Sequence, residues 1–232
     1  MLYVTGDTHG DLERFYGPEM KKLKKGDTLF ICGDFGFIWD GSTEEKKVLK
    51  KLSQQKFNIC FIDGTHENFE LLKTYPLGTY KGGIVRKISE NIYHLQRGQI
   101  YNFEDKNIFV MGGGESPDID WRFEKDTWSS EETPIRQELL DGAKRLQEHD
   151  FKVDFILTHE PPAKIKSLLL LQETETARIT GLNTYFEELS QSCSFDKWFF
   201  GSMHIDKFIS NNHIGVFNYV INMITGEIIN SV

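Results

Sequence analysis

Five short clusters of Asp, His and Gly, each directly after an apolar run, constrain this 232-residue chain more than any other feature. They are Gly6-Asp7-Thr8-His9-Gly10, Gly33-Asp34, Gly64-Thr65-His66-Glu67-Asn68, Thr158-His159 and Gly201-Ser202-Met203-His204. The apolar runs read as strands, so the clusters fall at strand ends. Carboxylate oxygens and imidazoles delivered from several strand ends are what a centre of two divalent cations requires, because no short segment can surround two ions. The spacing points to a metallohydrolase, and it demands a fold in which distant strand ends meet.

Strand and helix patterns alternate between the clusters. Residues 2–5 form an apolar run, after which Asp11 can cap a helix carrying Leu12, Phe15, Met20 and Leu23. Residues 28–32 repeat the pattern, and Ser42-Thr43-Glu44-Glu45 matches a capping box opening a helix through Leu52. Residues 58–62 read as a third strand, followed by a short helix over 68–75 that Pro76 stops. Short β-like runs at 84–88, 92–95, 100–103 and 108–111 suggest a largely antiparallel second region. Gly112-Gly113-Gly114 opens a long irregular segment over 115–133 that contains Trp121, Phe123 and Trp128, and long loops inside compact domains are often functional. A helix over 134–149 with Ile135, Leu139, Ala143 and Leu146 on one face, a strand over 153–157, a helix near 182–189 and a strand over 197–200 follow. The tail from 207 to 232 reads as short strands with a Thr225-Gly226 turn.

Composition sets the outer limits. No linker-like tract interrupts the chain, so a single domain over 1–232 is expected. A net charge of -8 argues against broad attraction to nucleic acid and favours small phosphorylated substrates. Cys32, Cys60 and Cys193 are widely spaced and lack C-x-x-C pairing, which argues against a disulfide framework and a structural zinc knot; Cys32 and Cys60 read as buried strand residues. With no basic leader, no apolar h-region and no stretch long enough to span a bilayer, the expectation is a cytoplasmic protein without a membrane partner.

Asp7 and His9 lie two apart after a strand, so on extended backbone both side chains project to one side and can share a cation. Asp34 offers two oxygens, enough to bridge cations ~3.5–4 Å apart. His94, His149 and His213 fall outside the clusters and read as structural or surface residues. Phe37, Trp39, Trp121, Phe123 and Trp128 could stack on a nucleobase or sugar, although core or lid packing is the simpler reading. The glycine run fits an anion-binding nest and a close approach of chains equally well. Lys21, Lys22, Lys24 and Lys25 read as a solvated helix end.

The order D-x-H, G-D, G-x-H-E, a later lone His and a terminal G-x-x-H, running from Asp7 to His204, resembles the calcineurin-like metallophosphoesterase superfamily. The stretch from Gly33 to Gly41, with His66-Glu67-Asn68-Phe69-Glu70, is similar to a bacterial branch of it. The resemblance implies a mixed α/β fold: a four-layer α/β/β/α sandwich of two mixed β-sheets with flanking helices. It implies Asp7, His9 and His204 at a first metal, Asp34 as the bridge, His159 at a second metal and His66 as general acid. One or two divalent cations per chain are implied, manganese foremost, with iron, zinc or magnesium also compatible. The expected reaction is hydrolysis of a phosphomonoester or small phosphodiester by metal-activated hydroxide.

Two positions depart from the family pattern. Thr65 stands where the family has Asn and Ser202 where it has His, and both positions serve the second metal. Neutral hydroxyls are weaker ligands, so the second site is expected to bind weakly, with Glu67, Glu160 or Asn68 as substitutes. The alternative expectation is therefore a degenerate, one-metal, catalytically weak protein that binds a phosphoryl ligand or a partner. A nuclease comes third, because it needs a basic groove that the acidic composition does not suggest.

Overall fold

Runs such as Leu29-Phe30-Ile31-Cys32 are apolar at every position, and side chains that alternate between two faces then need cover on both. In a computed structural model of the chain, that cover comes from a second sheet on one side and helices on the other. The structure describes residues 1–116, 118–125, 127–171 and 178–229.

The first sheet contains β1 (Leu2–Thr5), β2 (Thr28–Cys32), β3 (Asn58–Ile62), β4 (Leu77–Tyr80), β5 (Gly83–Lys87) and β6 (Ile92–Leu95). The second contains β7 (Gln99–Phe103), β8 (Lys106–Met111), β9 (Phe155–Thr158), β10 (Lys197–Phe200), β11 (Lys207–Phe208) and β12 (His213–Gly215); β13 (Ile221–Asn222) returns to the first. Their orders are β13-β1-β2-β3-β6-β5-β4 and β11-β12-β10-β9-β8-β7. Strands β1, β2, β3 and β6 run parallel, as do β8, β9, β10 and β12. Each sheet therefore gathers several C-terminal strand ends along one edge.

Alternation sorts the side chains into three cores. Phe30, Cys32, Cys60 and Ile62 meet Ile108, Val110, Phe155 and Phe199 between the sheets. Leu29, Ile31, Ile59 and Phe61 face outward against Phe15, Met20, Leu49, Leu52 and Leu72. Those residues belong to the 3-10 turn Leu12–Tyr16, α1 (Pro18–Lys22), α2 (Thr43–Leu52) and α3 (Phe69–Lys73). On the far side Phe109, Met111, Ile156, Trp198 and Phe200 pack against Leu146, Leu182, Phe186 and Leu189. The helices there are α5 (Arg136–Glu148) and α7 (Gly181–Ser192), with α4 (Ile119–Glu124) and α6 (Ala163–Leu170) completing the set among the described residues. The result is the four-layer α/β/β/α sandwich.

The structure amends several local expectations. The helix after Asp11 is a 3-10 turn and then α1, broken at Gly17-Pro18, where Pro18 takes the first helical turn because it lacks an N–H. The 83–111 region is not one antiparallel unit: β5 pairs antiparallel with β6 and β7 with β8, but β6 joins β3 and β8 joins β9 in parallel. The segment 115–133 carries α4 and a 3-10 turn at Ser130–Glu132; its Pro117 and Asp126 lie outside the described residues, as do 230–232 of the tail. The exposed strand β4 and helix α6, which has no buried residue, give no clear apolar period in the sequence. No helix among the described residues is long and apolar enough to cross a membrane.

Candidate metal centre

The parallel strand ends of both sheets bring the clusters together. Loops after β1 and β2 are tied by the Thr8 and His9 N–H groups, which donate to the Asp34 carbonyl at 3.2 and 2.8 Å. In the second sheet the Gly201 and Ser202 N–H groups donate to the His159 carbonyl at 3.1 and 3.0 Å. The two sheets are joined at the site by His159, whose Nδ1 lies 3.1 Å from the Cys32 carbonyl. A carbonyl can only accept, so Nδ1 carries the proton in that bond and Nε2 faces the centre.

Among the described residues two groups of ligand-type side chains result, each with donor atoms within 4.8 Å of one another: Asp7, His9 and His204, and Asp7, Asp34 and His159. His204 Nε2 lies 3.0 Å from Asp7 Oδ2 and 3.1 Å from His9 Nε2. His9 Nδ1 is 3.9 Å from Asp34 Oδ2, and His159 Nε2 is 3.9 Å from Asp34 Oδ1. Asp7 is common to both groups, while Asp34 lies within reach of the imidazoles of both. His66 stands at the edge: its backbone N–H donates to Asp34 Oδ1 at 2.7 Å, and its Nδ1 lies 3.0 Å from Asp34 Oδ2.

The donors fit divalent cations. Asp7 and Asp34 are buried, and Asp7 Oδ1 has no hydrogen-bond partner among the described residues, with His159 Nδ1 3.5 Å away. Two imidazole nitrogens aimed at each other across 3.1 Å, beside a carboxylate, form a convergent set that a cation would satisfy. Burial alone would raise both carboxyls, but His159 and then His204 hold Asp7 below its ordinary value, and His159 with His66 holds Asp34 well below the carboxylate range. Burial lowers His9, which suits a neutral ligand. His159 is pushed up to about 10, because Asp7 and Asp34 outweigh its burial. Metal-free, the centre thus keeps a proton on His159 that a cation would displace.

The remaining expected residues sit as follows. The Thr65 hydroxyl lies 3.0 Å from His66 Nδ1, and the Ser202 Oγ is buried without a partner among the described residues. Glu160 is engaged by Lys166 at 2.6 Å and by Asn183 at 2.8 Å. Asn68 caps α3, and Glu67 accepts from the Phe35 N–H at 2.8 Å. His94 and His213 are buried away from the centre, His94 against Asp63 at 3.1 Å; His149 caps the end of α5. Sequence reasoning missed Asp118, 3.7 Å from His66 Nε2, and Phe217, stacked on His204 at 4.7 Å. It also missed Arg14, which binds the Asp7 carbonyl and the Phe217 carbonyl. Those contacts span unrelated segments and leave no local pattern to read.

Two packed mixed sheets that present carboxylates and imidazoles at their joined strand ends define a metallohydrolase scaffold. The chain belongs to the calcineurin-like phosphoesterase family, whose model matches residues 1–218. Its members are in general metal-dependent phosphoester hydrolases. Comparison with curated proteins gives no match.

Proposed function

We propose that the protein hydrolyses a phosphomonoester or small phosphodiester at this centre, with Asp7, His9, Asp34, His159 and His204 holding manganese or a related divalent cation. The observation that carries this reading is the convergence of those five side chains, from four separate segments, with His66 bonded to Asp34 at the rim. Divalent ions bound there supply Lewis acidity toward the phosphoryl oxygens and activate water. His66 holds the proton for the leaving group: its bond to the Asp34 carboxylate raises it above the usual histidine value, against the effect of burial. Asp34 thus orients His66 through Oδ1 and Oδ2 together.

A second reading is favoured by one contact. The Thr65 hydroxyl, at the position where the family has an amide ligand, is turned to His66 Nδ1. With Ser202 at the other departing position, the second cation site keeps Asp34 and His159 as its strong donors, and a one-metal phosphoryl binder follows. Turnover of an aryl phosphate with added Mn²⁺, lost on chelation, supports the hydrolase. No turnover of mono- or diesters with any divalent metal, but turnover in a Thr65→Asn, Ser202→His double variant, assigns the binder. Metal counting gives about two or about one ion per chain in the two cases.

A further inference from the structure

A histidine that binds a metal is normally oriented by a hydrogen bond from the ring nitrogen that faces away from the ion. His159 has such a partner in the Cys32 carbonyl. His204 does not: its Nε2 faces Asp7 Oδ2 at 3.0 Å and His9 Nε2 at 3.1 Å, and among the described residues its Nδ1 makes no hydrogen bond. The side chain is half exposed, and its ring lies on the face of Phe217, with centroids 4.7 Å apart and planes at 26°. Stacking stands where the hydrogen bond would otherwise be.

Phe217 is fastened to both segments that carry the ligands. Its N–H donates to Asp206 Oδ1 at 2.8 Å, and the same carboxylate accepts from the N–H groups of Asn218 at 3.0 Å and Tyr219 at 2.9 Å. Asp206 lies two residues after His204, so the ring is tied to the histidine's own loop. The Phe217 carbonyl accepts from the Gly6 N–H at 3.2 Å, the Thr5 hydroxyl at 3.1 Å and Arg14 Nη2. Thr5 and Gly6 lead directly into Asp7, and the segments pass so closely that a Cβ on Gly6 would stand 2.1 Å from the Val216 carbonyl oxygen.

Arg14 closes the connection. Its Nη1 donates to the Asp7 carbonyl, its Nη2 to the Phe217 carbonyl and to Thr5 Oγ1 at 2.9 Å, and its Cζ lies over the Phe217 ring, 5.6 Å from the centroid. A planar guanidinium holds two carbonyls at a fixed spacing, which an ammonium on a flexible stem does not. An exposed imidazole free to rotate loses that freedom when it binds an ion, and one already stacked loses less.

We propose that Phe217 and Arg14 are positioning residues of the first cation site, holding the His204 imidazole where it, Asp7 and His9 share one divalent ion. The proposal rests on the metal-centre reading above and requires no particular ester.

Two measurements on the full chain test it. In calorimetric titration with Mn²⁺, Phe217→Leu, which keeps apolar bulk without a flat face, should weaken the tighter-binding ion about 10- to 100-fold while the Tm of the metal-free protein stays at the wild-type value. Phe217→Tyr, which keeps the face, should retain most of the affinity, and Arg14→Lys, which keeps the charge without the fork, should lose affinity as Phe217→Leu does. In a crystal of metal-free Phe217→Leu, His204 Nε2 should leave its approach to Asp7 Oδ2. Wild-type affinity in Phe217→Leu or Arg14→Lys, equal losses in Phe217→Leu and Phe217→Tyr, or a His204 ring unmoved in that crystal overturns the proposal while the metal-centre reading stands. A wild-type chain that binds no Mn²⁺ defeats that reading and the proposal with it.

Discussion

His9, Asp34 and His204 hold φ values of 46°, 41° and 46°, in the left-handed region that side-chain-bearing residues rarely occupy. Each such conformation costs of order 1–3 kcal/mol and persists where surrounding bonds over-determine it, as the paired N–H donors to the Asp34 carbonyl do. Close approach explains the glycines of the clusters. A Cβ on Gly201 would stand 2.1 Å from Asp7 Oδ1, and one on Gly33 would stand 2.1 Å from His159 Nδ1. Gly201→Ala must therefore displace the Asp7 carboxylate, and a shift of about 1 Å at a reacting centre costs roughly 10²-fold in rate. Steady-state turnover beside an unchanged circular-dichroism spectrum checks this; near-wild-type activity would show that Asp7 does not hold its position through Gly201. Proton linkage gives a second expectation. With His159 pushed up to about 10, its stabilising contribution to the metal-free fold is complete below about pH 6.5 and is lost as pH rises through about 10. Metal must displace that proton, so apparent affinity at pH 6–8 should rise by about tenfold per pH unit for one proton. Calorimetry of Mn²⁺ binding in buffers of different ionisation enthalpy counts it, and a count of zero contradicts the arrangement.

At the scale of elements, strand-end acids take two different roles. Asp7 and Asp34 face the centre, whereas Asp63, at the end of β3, accepts from Arg97 Nε at 2.8 Å and lies 3.1 Å from His94 Nε2. Burial would raise Asp63, but Arg97 and His94 outweigh it and hold it well below the carboxylate range. The unfolded chain takes up a proton near pH 3.9 while the folded one does not, so this contribution is present above about pH 4 and declines as pH falls below it. Urea unfolding between pH 6 and pH 3 should show a shallower acid decline in Asp63→Asn than in the wild type. The segment bearing Trp128 depends on another buried pair. Arg122→Ala leaves Glu132 uncompensated and should cost about 3–5 kcal/mol by the same unfolding assay, against a few tenths for the exposed Lys47→Ala. The strands bearing ligands are legible in the sequence because burial on both faces makes them continuously apolar and their ends abruptly polar. Helix α6 and strand β4 are not, because their sides are only partly covered and carry no such contrast. The strap over 115–133 reads as a loop because its order comes from Ser116, Arg122 and Glu132, whose bonds to one another no periodicity announces.

At the scale of the molecule, the sandwich is what makes one site from four segments. Strands β1 and β2 supply Asp7, His9 and Asp34, strands β9 and β10 of the facing sheet supply His159 and His204, and neither sheet alone assembles either group together with its partner imidazoles. The fold was legible because those clusters recur in a fixed order; which side chains group together was not, since Asp7 proves common to both groups. Binding a cation to this junction ties the sheets together, so Mn²⁺ at about 100 times its Kd should stabilise the chain by about 2.7 kcal/mol and raise Tm by roughly 5–11 °C. Thermal unfolding of Asp7→Ala should show no such shift. The most direct measurement is anomalous scattering from a crystal soaked in manganese. Convergence of the two sheets on a metal requires a manganese peak bonded to Asp7, His9 and His204; a well-ordered crystal with those side chains in place and no peak between them would contradict it.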